Sequence, residues 1–170
     1  MSQPVVIETV PGTSALDITR EFEAPVDALF QAHAEPEAFR RWIGPRELQT
    51  TISRWDFGTG GGYAFEQKDA DGEVSAFRGV FHTIVPNELV IQTFEYLRAP
   101  DQVSLDTVRF ESLGAARSRL TNRSVFPSRE ALESMLASGM EHGVDEGYQK
   151  LDDVLRDDVL RDAADGRRAQ

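Results

Sequence analysis

Apolar residues alternate with polar ones along most of the chain up to Phe126, and then recur every third or fourth position. From Ala15 to Phe22, Leu16, Ile18 and Phe22 share one side and Asp17, Thr19 and Glu21 the other, which predicts a half-buried strand. Arg20 falls on the apolar side, so it is expected to be paired with a carboxylate or backbone carbonyls, or to reach an internal cavity. Ala24-Pro25 ends the strand. Pro25 opens a short helix with Ala28, Leu29, Phe30 and Ala32, and Glu35-Pro36 opens a second, through Phe39 and Trp42 to Gly44-Pro45. Strands are then predicted at Leu48–Trp55, Tyr63–Gln67, Val74–Val85, Leu89–Tyr96, Val103–Glu111 and Arg117–Phe126. The breaks between them are short, so neighbours should pair antiparallel.

The last pattern is helical. Leu132, Met135, Leu136, Met140, Val144, Tyr148, Leu151 and Leu155 form one broad apolar stripe, with Ser128 as N-cap. One helix is expected from Ser128 to Leu155, extended by the repeated DVLRD at 153–157 and 158–162. An antiparallel sheet with one apolar face must be covered, and this helix is the only element long enough to do so. Gly139, Gly143 and Gly147 fall on one helix face, each costing about 1 kcal/mol of helix propensity against alanine. Two explanations stay open: close packing of helix on sheet, or room for a ligand between them. The expected organisation is a loose arm over residues 1–13, one domain over 14–160 and a frayed tail over 161–170.

Composition narrows the function classes. The 170 residues include 29 Asp and Glu against 18 Lys and Arg, a net charge of −11, which argues against sequence-independent nucleic-acid binding and against adhesion to anionic membranes. Cysteine is absent, which excludes disulfides, thiolate metal sites and a cysteine nucleophile. With neither a secretory signal pattern nor a membrane-length apolar run, the expected location is cytoplasmic.

Most candidate chemistry dissolves on inspection. Gly58-Thr59-Gly60-Gly61-Gly62 lacks the Lys-Ser/Thr of a phosphate loop and leads into a strand, so a hairpin connection is expected. Asp69-Ala70-Asp71-Gly72 reads as a turn, not a calcium loop. His142 with Asp145 or Glu146 has metal-pair spacing but no third ligand nearby in sequence, so a solvated charge cluster is expected, and no metal or other cofactor. His82 should face solvent. G-x-S-x-G is absent, and no catalytic residue is assigned. The aromatics carry more. Strand alternation puts Tyr63 with Phe65, Phe77 with Phe81, and Phe94 with Tyr96 on shared faces, and Trp42 and Trp55 lie in the same part of the chain. Gln92 and Asp106, with Asn122 and Ser124 further on, fall among them, the composition of either a small-molecule pocket or a satisfied polar core. The candidate cavity set adds Met140, Gly143 and Gly147 from the helix.

Several of these segments carry a family resemblance: ITREFEAPVDALFQA (18–32), EPEAFRRWIGP (35–45), the glycine-rich turn before YAFE (63–66), FRGVFHTIVPNELVIQTFEY (77–96) and SGMEHGVDEGYQKLDDVL (138–155). Together they resemble the SRPBCC (START-like) superfamily, and within it the group named for the activator of the heat-shock protein 90 ATPase. The resemblance implies an α+β helix-grip fold, a curved seven-stranded antiparallel sheet around a long C-terminal helix, with two short helices after the first strand. It also implies a cavity between sheet and helix that holds an apolar ligand. The leading expectation is therefore an apolar small-molecule binding protein. A co-chaperone-like module, with a chaperone as partner, comes second, and an enzyme of the cyclase or hydratase type, for which Asp106 is the main acid–base candidate, comes third. A second copy of the chain is a further partner to test.

Overall fold

Residues 3–168 are described in the computed structural model, those at 159–160, 163–164 and 167–168 by their backbone only. The alternating stretches become strands: β1 (Val6–Thr9), β2 (Ala15–Phe22), β3 (Gln49–Trp55), β4 (Gly62–Lys68), β5 (Val74–Val85), β6 (Leu89–Tyr96), β7 (Ser104–Gly114) and β8 (Arg117–Val125). Helices α1 (Val26–Ala34) and α2 (Pro36–Trp42) follow β2, and α3 (Arg129–Ala137) and α4 (Met140–Arg168) follow β8. The sheet order is β1-β2-β8-β7-β6-β5-β4-β3, antiparallel at every pair. From β3 to β8 each strand pairs with its chain neighbour. The excursion through α1 and α2 lets β2 return beside β8, so the two short helices lie over the inner face. This is the helix-grip arrangement, with three departures from the sequence reading.

The sheet has eight strands rather than seven. The segment read as a loose arm contains β1, whose Val6–Thr9 pairs with Thr19–Leu16 of β2. Its outer-edge position leaves Val6, Glu8 and Thr9 exposed, so no inward–outward pattern marks it. The terminal helix is two helices. Ser138 closes α3, its N–H donating to Met135 O, and Gly139 turns the chain at φ +83, a conformation that favours glycine. Lastly, α4 runs on to Arg168, through most of the segment expected to fray, while residues 169–170 lie outside the described residues.

Ser128 caps α3 as expected, its hydroxyl accepting from Ala131 N–H at 3.1 Å. Along α4 the stripe buries Tyr148, Leu151, Val154 and Leu155, which join Leu16, Phe22, Phe110 and Leu120 of the sheet in one core. Each such side chain contributes about 1.5–3 kcal/mol by leaving water. Arg20 is inside, 2% exposed, and its guanidinium grips Asp152 of α4 through two hydrogen bonds of 2.6 and 2.7 Å. The expected pair therefore exists, and it locks the cover helix onto β2. Among the described residues no helix is long and apolar enough to cross a membrane.

Candidate functional site

The inner face of the sheet does not meet α4 everywhere. A cavity of about 470 Å³ lies between the sheet, the two short helices and the α3–α4 pair. The thirteen residues singled out from the sequence fall along its lining, nine of them on strands, where alternation fixes the face each occupies, and Trp42, Met140, Gly143 and Gly147 on α2 and α4.

One wall is aromatic. Phe77 stacks against Phe65, Tyr96 and Phe94 with ring centroids 5.0, 5.1 and 5.4 Å apart. Phe81 meets Tyr63 at 5.1 Å and Trp55 edge-on at 5.9 Å. The polar tips of these rings are tied back into the fold. Trp42 and Trp55 donate their indole N–H groups to Ala32 O and Ala34 O at the end of α1, each at 2.8 Å, and Tyr63 Oη donates to Thr93 O at 2.6 Å. Their faces, freed of hydrogen-bonding duty, form a rigid apolar surface.

The other end is polar. Gln92, Asp106 and Ser124 occupy one rung across β6, β7 and β8. Asp106 is 7% exposed, and its Oδ1 accepts from Ser124 Oγ at 2.7 Å and Ser104 Oγ at 3.2 Å. Burial pushes its carboxyl up from 3.8 to about 6, against the hydrogen bonds from Ser124, Ser104 and Gln92. Asn122, two residues before Ser124 on the same face, keeps its Oδ1 buried without a hydrogen-bond partner.

Helix α1 adds His33, wedged between Trp42 and Phe110 at 4.8 and 5.1 Å. Its Nδ1 lies 2.8 Å from Leu29 O; a carbonyl only accepts, so Nδ1 carries the proton and Nε2 a lone pair. Burial lowers its pKa to about 4, leaving the imidazole neutral in ordinary conditions. From α4 comes Tyr148, whose phenol burial holds protonated. Alternation within strands had no means of finding His33 or Phe39, which reach the cavity from short helices, although His33 sits one turn after the buried Leu29. Ser104 carries no signal in the sequence, since only its contact with Asp106 marks a lone serine out.

The glycine line resolves into different roles. Gly139 is the turn between α3 and α4. A Cβ on Gly147 would stand 3.1 Å from Trp42 O, so there α4 packs tightly, though on the Trp42–Gly44 backbone rather than on the sheet. At Gly143 a Cβ would meet only the Pro45 ring, at 3.5 Å. The Trp42-Ile43-Gly44-Pro45 stretch is thus a wedge. Gln67 Nε2 donates to Ile43 O at 3.2 Å from β4, and Lys150 Nζ reaches Ile43 O and Pro45 O at 3.4 and 3.5 Å from α4. Beside the wedge, exposed Ser138 and Gly139 and half-buried Met140, Gly143 and Pro45 form the part of the lining that meets solvent.

Outside the cavity, Glu47 joins His142 and Glu146, their ligand atoms all within 4.8 Å of one another. His142 Nε2 pairs with Glu146 Oε1 at 2.8 Å, and Arg46 approaches the same carboxylate at 3.8 Å. Glu47, from the connection between α2 and β3, thus supplies the third ligand-bearing side chain that the spacing around His142 does not show. His82 is exposed, also as expected.

The fold has many solved counterparts. A solution NMR structure from Arthrobacter aurescens is 26% identical with a TM-score of 0.82, covering 89% of this chain and 91% of that one. A Mycobacterium smegmatis crystal structure is 24% identical (TM-score 0.79; 89% and 97% covered), and one from Rhodobacter sphaeroides 21% identical (TM-score 0.81; 90% and 98%). Among curated proteins nothing matches. The model of the family described as activator of Hsp90 ATPase homolog 1-like protein matches residues 23–156, from the end of β2 through the α4 stripe. With that match spanning most of the chain, the protein belongs to the activator of Hsp90 ATPase homolog 1-like family.

Proposed function

We propose that this protein binds a small, largely apolar molecule in the cavity between its sheet and α4. The observation that supports this most is a space of about 470 Å³ walled by fixed aromatic rings and carrying a few convergent polar groups at one end. Ligand sites generally have about this size and this mixture, roughly 300–1,000 Å³. The pinned indole and phenol groups favour pre-organisation: the walls hold their places through hydrogen bonds to backbone that a ligand need not supply. The family description names a chaperone ATPase, whereas the cavity supports a small-molecule ligand. A thermal-shift screen of neutral aromatic and aliphatic compounds, with native mass spectrometry of the protein from its host, is the test. A ligand at 100 times its Kd stabilises the fold by about 2.7 kcal/mol, which such a screen resolves. A flat response across compounds of this volume, together with a bare mass, contradicts the reading.

A further inference from the structure

The polar end of the cavity holds two buried acceptors, the Asp106 carboxylate and Asn122 Oδ1, among the neutral side chains Gln92, Ser104 and Ser124. Asp106 is the only side chain in the lining, among the described residues, that bears a full charge; His33 is neutral and Tyr63 and Tyr148 stay protonated. Arg20, a buried cation of the core outside the lining, is bound bidentately to Asp152. Asp106 is stabilised by the neutral donors Ser104, Ser124 and Gln92, so its charge is hydrogen-bonded but not neutralised. Asn122 Oδ1 is a second buried acceptor on the neighbouring strand, and it has no partner. A buried carboxylate is costly without a counter-charge. An orphaned buried acceptor leaves the loss of its hydration uncompensated. An alcohol brings one donor and no charge, whereas an ammonium brings three donors and the missing positive charge. The aromatic faces beside this end also favour a cation over an anion.

Building on the cavity reading, we propose that the ligand is a cationic amphiphile, an aromatic or aliphatic body carrying a protonated amine whose N–H groups bond Asp106 and Asn122. The body lies along the Phe77–Phe94–Tyr96 wall, and the head is buried. The net charge of −11 raises the local concentration of such a molecule.

The test is a matched set of probes, 4-phenylbutylamine, 4-phenylbutan-1-ol and 4-phenylbutyrate, titrated calorimetrically at pH 7.5 into the whole protein and into Asp106→Asn. The amine should bind the wild type at least about tenfold more tightly than the alcohol, with the carboxylate weakest. Asp106→Asn should cost the amine about tenfold or more while leaving the alcohol within about threefold. If the variant does not fold, wild-type titrations from pH 8 to pH 5 give the same answer. Amine affinity should fall as Asp106 protonates near pH 6 while the alcohol stays level, because His33 is already neutral there, the two tyrosines stay protonated and Arg20 stays paired with Asp152. Equal binding of amine and alcohol, or an amine affinity indifferent both to Asp106→Asn and to pH, overturns the inference and leaves the cavity reading standing. Failure of all three probes overturns both.

Discussion

Asp106 sits where its own charge is unwelcome, and this sets how stability depends on pH. Its folded pKa of about 6 lies above the ordinary 3.8, so between those values the native state holds the extra proton and stability falls as pH rises. His33 acts in the opposite sense. Its folded pKa of about 4 lies below the ordinary 6.5, so across that interval the unfolded state binds the proton and stability rises with pH. In the wild type the two slopes largely cancel between about pH 4 and 6. Asp106→Asn should therefore stabilise the ligand-free protein by about 1–3 kcal/mol at pH 8, and it should expose an acid-side loss of stability between pH 6.5 and 4. Urea denaturation at pH 4.5, 6 and 8 measures both; equal stability of variant and wild type at pH 8 contradicts the assignment. Arg20 offers a second check. Arg20→Met leaves Asp152 without its bidentate partner and should cost about 2–4 kcal/mol. The double change Arg20→Met/Asp152→Leu should recover all but about 1 kcal/mol, since apolar replacement of a buried pair is close to neutral. A double variant as unstable as the single would mean that the guanidinium does more than close this pair.

At the level of elements, the α3–α4 break and the wedge at Trp42–Pro45 explain glycines that the sequence presented as one line. Gly139→Ala should cost about 1–2 kcal/mol, through its positive φ alone, because nothing lies within 4 Å of a Cβ there. Gly147→Leu should cost about 1–3 kcal/mol by pressing on the Trp42–Gly44 backbone. Gly143→Leu should be neutral or stabilising by up to about 1 kcal/mol, since only Pro45 is near, and it should weaken probe binding by narrowing the mouth. Thermal and urea midpoints of the three variants give the ranking; a large loss at Gly143 would mean that α4 packs closely there too. The same region shows where the sequence stops being legible. Seven strands were readable because their inner faces are apolar and their outer faces carry charge, as with Asp17 and Arg123, paired at 2.7 Å across β2 and β8. β1 was not, because an edge strand of four residues with one half-buried side chain makes no pattern. The helix break was not, because Met135, Leu136, Met140 and Val144 keep helical spacing across a turn made by one residue. The aromatic lining was readable from alternation. The contributions of His33, Phe39 and Ser104 were not, since they depend on how separate elements meet.

For the molecule as a whole, charge and burial divide by face. On the outside of β2, β8 and β7, Glu21 pairs with Arg117 and Arg119, and Arg119 with Glu111, while the inside carries the core and the cavity. The sheet cannot be filled by α4 alone, because the wedge and Gly147 fix how α4 lies against it. On the proposed function, the remaining space is a working apolar site and not merely a gap. Calorimetric titration of 4-phenylbutan-1-ol at three temperatures tests it most directly, because burial of apolar surface on binding gives a negative heat-capacity change. The expected result is one site per chain, a clearly negative heat-capacity change, and probe binding that is weakened in Gly143→Leu. Absence of binding by the alcohol, the amine and the carboxylate alike, or a heat-capacity change near zero with affinity indifferent to Gly143→Leu, would contradict it.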